Sequence, residues 1–281
     1  MKIVTRFAPS PTGYLHMGHA YSASLAFKKA KESGGHFLLR IEDIDTTRCR
    51  PDFESAIYED LAWLGLEWEK PVRRQSEHME DYAALLERLH ERELVYPCFC
   101  SRKEIAAEIA ASKSAPHGPD GPLYPGTCRY LSEKEKQARF SASEPYALRL
   151  DMARALQLVP AAQLTFNELE KGLIQCDPAR FGDVVLARKE TPTSYHLAVT
   201  LDDALQGVNL VVRGQDLFEA TYVQRLLQAL FDLPTPDYLH HGLVSDVKGK
   251  RLAKRDKDAT IRAMRENGYS SQEVRKLTGF G

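Results

Sequence analysis

Two histidines three positions apart, His16 and His19, stand in the segment Pro9-Ser10-Pro11-Thr12-Gly13-Tyr14-Leu15-His16-Met17-Gly18-His19. The segment joins an apolar run to a helical one, so it lies where a strand hands over to a helix. A helix N-terminus exposes unpaired N–H groups and a partial positive charge, which suits a phosphate. Imidazoles there can donate hydrogen bonds to phosphate oxygens as charge builds during a displacement. Gly18 leaves room for a nucleotide against the backbone. Taken alone, the same pair also reads as capping or core histidines.

A second group lies near the other end, in Lys248-Gly249-Lys250-Arg251-Leu252-Ala253-Lys254-Arg255-Asp256. Cationic side chains on such a loop can clamp a polyphosphate and neutralise leaving pyrophosphate. Lysine serves there as a mobile point charge. Taken alone, a solvated basic loop is the plainer reading.

The third group is Cys98-Phe99-Cys100 with Cys128, three thiolates where a closed structural zinc site takes four ligands. Tyr124 and His117 both stand near enough in sequence to be the fourth, and imidazole is the commoner ligand. Buried free cysteines are the alternative. Cys49 and Cys176 are solitary and read as ordinary residues. Five cysteines, an odd number, suit a reduced compartment better than a disulfide framework.

These groups need elements to hold them. Residues 2–8 read as a short strand, about 18–32 as a helix closed by Gly34-Gly35, and 36–43 as a second strand. Strand, loop, helix and strand make a βαβ unit with parallel strands. Ser76 reads as a helix N-cap, followed by Met79, Tyr82, Leu86 and Leu89 at helical spacing. From about 102 to 145 the chain turns polar, as an insertion would. An α/β alternation resumes with VVLARK (184–189), YHLAVTLDD (195–203) and NLVVRG (209–214), and Leu217, Ala220, Val223, Leu227 and Leu230 follow at helical spacing.

At opposite ends of an α/β domain, the first two groups resemble the paired signatures of class I aminoacyl-tRNA synthetases. RFAPSPTGYLHMGH, RIEDID and VVRGQDL resemble the glutamate-specific branch, and the likeness runs from residue 3 to about 255. It implies a Rossmann-like parallel-sheet α/β catalytic domain with a zinc-bearing insertion and a short helical C-terminal segment. The expected divisions are 1–95 and 181–245 for the halves of the catalytic domain, 96–180 for the insertion, and 246–281 for the lysine loop and helical remnant.

The resemblance also assigns roles. His16, Gly18 and His19 would contact ATP. Arg251 to Arg255 would stand at the family's lysine-serine-lysine loop, where Arg251 and Ala253 depart from the pattern and Lys254 keeps it. Arginine and lysine differ in geometry, so the departure bears on how the loop works. Arg6, Ser10, Glu42, Tyr195 and Arg213 would bind L-glutamate, although from the residues alone each reads as structural. Arg6 and Arg213 would pair with the ligand carboxylates and Glu42 with its ammonium. A neutral amide would leave an arginine unpaired, which favours glutamate over glutamine. The resemblance names Tyr124, rather than His117, as the fourth zinc ligand, and brings Mg²⁺ with ATP.

After Arg255 there is no length for a separate domain of ~50 residues, where a full glutamyl-tRNA synthetase carries its anticodon-binding region. The short chain therefore resembles the glutamyl-queuosine tRNA(Asp) synthetases, which imply tRNA(Asp) carrying queuosine as the acceptor. Other readings are a truncated glutamyl-tRNA synthetase charging the tRNA 3′ end, a small nucleotidyltransferase, and a non-catalytic RNA-binding paralogue.

The 281 residues hold 38 Lys+Arg against 39 Asp+Glu, a net charge of −1, so any RNA-binding surface must be local. The insertion and the basic residues from 248 to 265 are the expected ones. No run approaches the ~20 apolar residues of a membrane span, and no secretory leader is evident. A cytoplasmic monomer without membrane contact is expected.

Overall fold

The computed structural model describes residues 2–111, 117–119, 121–242 and 260–280. The expected opening unit is present as β1 (Val4–Phe7), α1 (Met17–Glu32) and β2 (His36–Ile41), with β1 and β2 parallel. Gly34, at φ +63°, turns the chain sharply from α1 into β2. Next come α2 (Pro51–Trp63), β3 (Glu69–Arg74) parallel to β2, and α3 (Met79–Glu91).

Ser76 does not cap α3: it lies in a 3₁₀ turn, and His78 is the N-cap. Asp43 takes both the Ser76 N–H, at 2.8 Å, and its hydroxyl, at 2.6 Å. A tertiary carboxylate has drawn the serine away from the local helix.

The middle of the chain holds β4 (Val95–Cys98), α4 (Arg102–Ala111), β5 (His117–Gly118), β6 (Gly121–Pro122), α5 (Glu133–Ser141) and β7 (Ala147–Leu150). It continues through α6 (Met152–Leu158), β8 (Thr165–Glu168), β9 (Gly172–Gln175) and β10 (Val185–Ala187). Then α7 (Tyr195–Leu205), β11 (Leu210–Gly214), α8 (Ala220–Leu230) and β12 (Asp237–His241) restore the alternation, and α9 (Ile261–Glu266) and α10 (Ser271–Leu277) follow.

β4, β7 and β10 form a small antiparallel sheet of their own. β8 and β9 fall within the expected 96–180 insertion but extend the main sheet, in the order β11-β12-β8-β9, with β8 parallel to β12.

The two parallel runs, β3-β2-β1 and β11-β12-β8, meet at Asn209. Its Oδ1 accepts the Val4 N–H at 2.8 Å, and its own N–H donates to the Val4 carbonyl at 3.1 Å. Strand order reverses between β1 and β11. Open α/β sheets bind ligands beyond the carboxyl ends of the strands at such a switch point.

Alternate residues feed two cores, one on each face of this sheet. Phe37, Leu39, Leu210, Val212 and Leu239 join one; Leu38, Val211 and Tyr238 join the other. Burial on both faces explains the almost unbroken apolar runs of these strands. Arg6 and Arg40 interrupt the second face, and both are buried.

Candidate active site and metal centre

A cleft of about 740 Å³ opens at the switch point. The first half of the sheet contributes Arg6, Ser10, Glu42 and the His16-Met17-Gly18-His19 turn; the second contributes Tyr195 and Arg213. All candidate ligand-binding residues among the described ones thus share one cavity, although Arg6 and Arg213 lie more than two hundred residues apart in sequence.

His16 is the N-cap of α1, and its Nδ1 accepts the Gly18 N–H at 3.1 Å. The His16 N–H in turn donates to His19 Nδ1 at 3.2 Å, and the rings stack with centroids 3.8 Å apart. With each Nδ1 accepting, the proton of each neutral ring sits on Nε2. Capping thus fixes the tautomer. Gly18 clears space for the His16 ring as well as for a ligand: a Cβ there would meet His16 Cε1 at 3.0 Å.

The charged residues behind the cleft form one network. Arg6 donates from Nε and Nη2 to the two carboxylate oxygens of Asp203, at 3.0 and 3.3 Å. Arg40 is fully buried and donates from Nη1 to Asp203 at 2.7 Å and from Nη2 to Glu42 at 3.0 Å. Neighbouring Asp202 accepts from Arg73, Gln75 and Tyr82. Burial opposes the charge on Asp203, but Arg6 and Arg40 more than reverse this and hold its carboxyl below the ordinary range. For Glu42 burial prevails over Arg40 and Arg6, and its carboxyl is pushed up.

Arg6 is therefore already charge-compensated. Arg213 has no such direct carboxylate partner among the described residues; it donates to His240 Nε2 at 3.0 Å, Thr221 Oγ1 at 2.7 Å and Tyr195 OH at 3.4 Å. Sequence reasoning overlooked Arg40, Asp203, Glu168, Thr221 and His240. Arg40 and Asp203 did leave a trace, as charges set in the apolar runs HFLLRI and LAVTLDD. The others look ordinary in isolation.

Lys254 and the rest of the Arg251–Arg255 loop lie outside the described residues. Both flanks, however, reach the cleft, through His241 and Thr260. Thr260 bridges to His16, and the Ile261 N–H donates to the Leu15 carbonyl at 2.8 Å. Arg262 and Arg265, the described members of the basic cluster, are paired with Glu266 and Glu59 at 2.9 and 3.1 Å. Their charges are partly committed within the fold.

At the end of β4 in the small antiparallel sheet, the sulfurs of Cys98, Cys100 and Cys128 lie within 4.8 Å of one another. Two thiolates at a tetrahedral angle on ~2.3 Å bonds to zinc stand roughly 3.8 Å apart, and the observed spread fits such a centre. The Tyr124 hydroxyl lies 3.7 Å from Cys100 Sγ and accepts the Cys128 N–H at 2.9 Å. The side chain of His117 lies outside the described residues. Three sulfurs and one phenolic oxygen therefore converge, a donor set able to hold a metal ion.

The reversed sheet and the His-x-Gly-His turn belong to a chain that matches a known enzyme family. Residues 2–279 match the family model for tRNA synthetases class I (E and Q), catalytic domain. The chain belongs to this family of ligases. It is 49% identical to the Glutamyl-Q tRNA(Asp) synthetase of Rhodobacter capsulatus, over 99% of this chain and 100% of that protein. It is 36% identical to the Glutamate--tRNA ligase of Aquifex aeolicus, over 97% of this chain but 56% of that protein. A crystal structure of a glutamate tRNA ligase from Elizabethkingia meningosepticum with its amino acid superposes with TM-score 0.76 and 28% identity, covering 96% of this chain and 54% of that one. No helix among the described residues is long and apolar enough to cross a membrane.

Proposed function

We propose that the cleft activates L-glutamate with ATP and passes the glutamyl group to the queuosine base of tRNA(Asp). The observation that carries this reading is the shared cavity: a phosphate-donor turn faces a buried arginine whose charge is not directly compensated. Its size suits an amino acid beside a nucleotide.

The glutamate side-chain carboxylate pairs with Arg213, with Tyr195 beside it, and Ser10 lines the approach. Glu42, whose carboxyl burial has pushed up, gains from the ligand ammonium the countercharge that keeps it ionised. The α-carboxylate oxygen attacks the α-phosphorus, the bond to the bridging oxygen breaks, and pyrophosphate leaves. His16 and His19 donate from Nε2 to phosphate oxygens, and Lys254 clamps the leaving group from the loop whose flanks reach the cleft. Mg²⁺ accompanies ATP and offsets its charge. A hydroxyl of the modified base then attacks the activated carbonyl and releases AMP.

Cys98, Cys100, Cys128 and Tyr124 would hold one structural zinc, which ties the loop around Cys100 to the turn before Cys128. The five free cysteines accord with a cytoplasmic setting, where both tRNA and ATP are found. The acceptor is tested with labelled glutamate, ATP and tRNA(Asp) with and without queuosine. Label on the anticodon base only when queuosine is present supports the reading. Label on the 3′-terminal adenosine overturns the choice of acceptor.

A further inference from the structure

Arg6 and Arg213 approach the same cleft, but their charges are handled differently. Arg6 is locked against Asp203 at 3.0 Å, which cancels much of its attraction for an anion. Arg213 is held from behind by a neutral acceptor. Its Nε–H points to His240 Nε2 at 3.0 Å, and His240 Nδ1 lies 2.6 Å from Glu168 Oε2. Glu168 Oε1 accepts the backbone N–H of His240 at 3.0 Å. The side chains of Glu168 and His240 are both fully buried.

These contacts allow one assignment of protons. A guanidinium only donates, so His240 Nε2 must accept. The ring proton is then on Nδ1 and is donated to Glu168. With donors on both oxygens, Glu168 is a carboxylate. The negative charge that balances Arg213 thus sits one imidazole away, too far to occupy the guanidinium face that a ligand would use. Burial drives His240 down to about 2, so its ring remains neutral.

We propose that Glu168 and His240 are positioning residues for substrate specificity: by fixing the His240 tautomer, they hold Arg213 with its charge reserved for the side-chain carboxylate of glutamate. The inference rests on the glutamate-activating reading above. It explains how the site rejects glutamine, whose amide NH₂ would meet only further donors on Arg213. Thr221, accepting from Arg213 Nη2 at 2.7 Å, braces the other edge.

Glu168→Gln preserves size but turns one acceptor into a donor. The new amide N–H is satisfied by His240 Nδ1, which moves the ring proton to Nε2, against the Arg213 N–H. In glutamate-dependent ATP–pyrophosphate exchange, KM for glutamate is expected to rise by about tenfold or more, with KM for ATP within about twofold. Preference for glutamate over glutamine falls by a similar factor. In ¹⁵N-histidine NMR, wild-type His240 is expected as the Nδ1–H tautomer, and the variant as Nε2–H.

An active wild type beside a variant with unchanged glutamate KM and preference overturns this inference alone. So does a wild-type His240 protonated on Nε2, a readout that stands even if the variant fails to fold. A wild type with no glutamate-dependent exchange overturns the glutamate reading and this inference together.

Discussion

Arg213→Ala removes the cleft arginine that, among the described residues, has no direct carboxylate partner. Truncating one member of a buried, hydrogen-bonded charge pair costs about 2–5 kcal/mol. Each ~1.4 kcal/mol is tenfold, so kcat/KM for glutamate should fall by roughly thirty- to several-thousandfold. The upper part of that range is expected, because Arg213 is only 5% exposed and water cannot readily replace it. Truncation also strands its partners: His240 loses a donor at 3.0 Å and Thr221 one at 2.7 Å. The assay is glutamate-dependent ATP–pyrophosphate exchange without tRNA, with KM measured separately for each substrate. KM for ATP should move by less than about twofold, since the phosphate-donor turn belongs to the other half of the sheet. A glutamate kcat/KM within about threefold of wild type, in a variant of normal thermal stability, would refute the reasoning.

Gly18→Ala should lower kcat by about tenfold or more while changing stability by less than ~1 kcal/mol, because the added Cβ meets the His16 ring at 3.0 Å. Steady-state kinetics and urea unfolding separate the two effects, and loss of both together would count against a local cause. Metal analysis should find one zinc per chain in wild type and weaker retention against a chelator in Tyr124→Phe, whose hydroxyl lies 3.7 Å from Cys100 Sγ. Retention equal to wild type removes Tyr124 from the ligand set.

Asp60 is fully buried, and among the described residues neither of its oxygens has a hydrogen-bond partner; burial outweighs Arg265, 3.8 Å away, and raises its carboxyl from 3.8 to about 6. A raised carboxyl costs nothing below its unfolded value and its full penalty above its folded one. Stability attributable to Asp60 therefore falls as pH rises from about 4 to above 6. Asp60→Asn should gain about 1–3 kcal/mol near pH 8 and little near pH 4 in urea titrations. An equal effect at both values would contradict the assignment.

The opening βαβ unit and the His-x-Gly-His turn were legible because each is local: period, caps and turn residues lie within a few positions. The cleft residues were legible only through resemblance, since Arg6 and Arg213 look alike in sequence. What separates them is tertiary, Asp203 facing one and His240 the other. Glu168 and His240 meet across 72 positions, and no spacing rule spans that distance. Ser76 misled for the same reason, because Asp43 on a neighbouring segment claims it. The expected 96–180 insertion contains β8, whose short run TFNE shows no sign that it pairs with β12.

A crystal structure with L-glutamate and a non-hydrolysable ATP analogue tests the shared cleft most directly. The side-chain carboxylate should lie about 3 Å from the Arg213 guanidinium and the ammonium about 3 Å from Glu42, with phosphate oxygens at the Nε2 atoms of His16 and His19. Glutamate bound with its side chain turned away from Arg213, or the nucleotide bound outside the His16–His19 turn, would contradict the account.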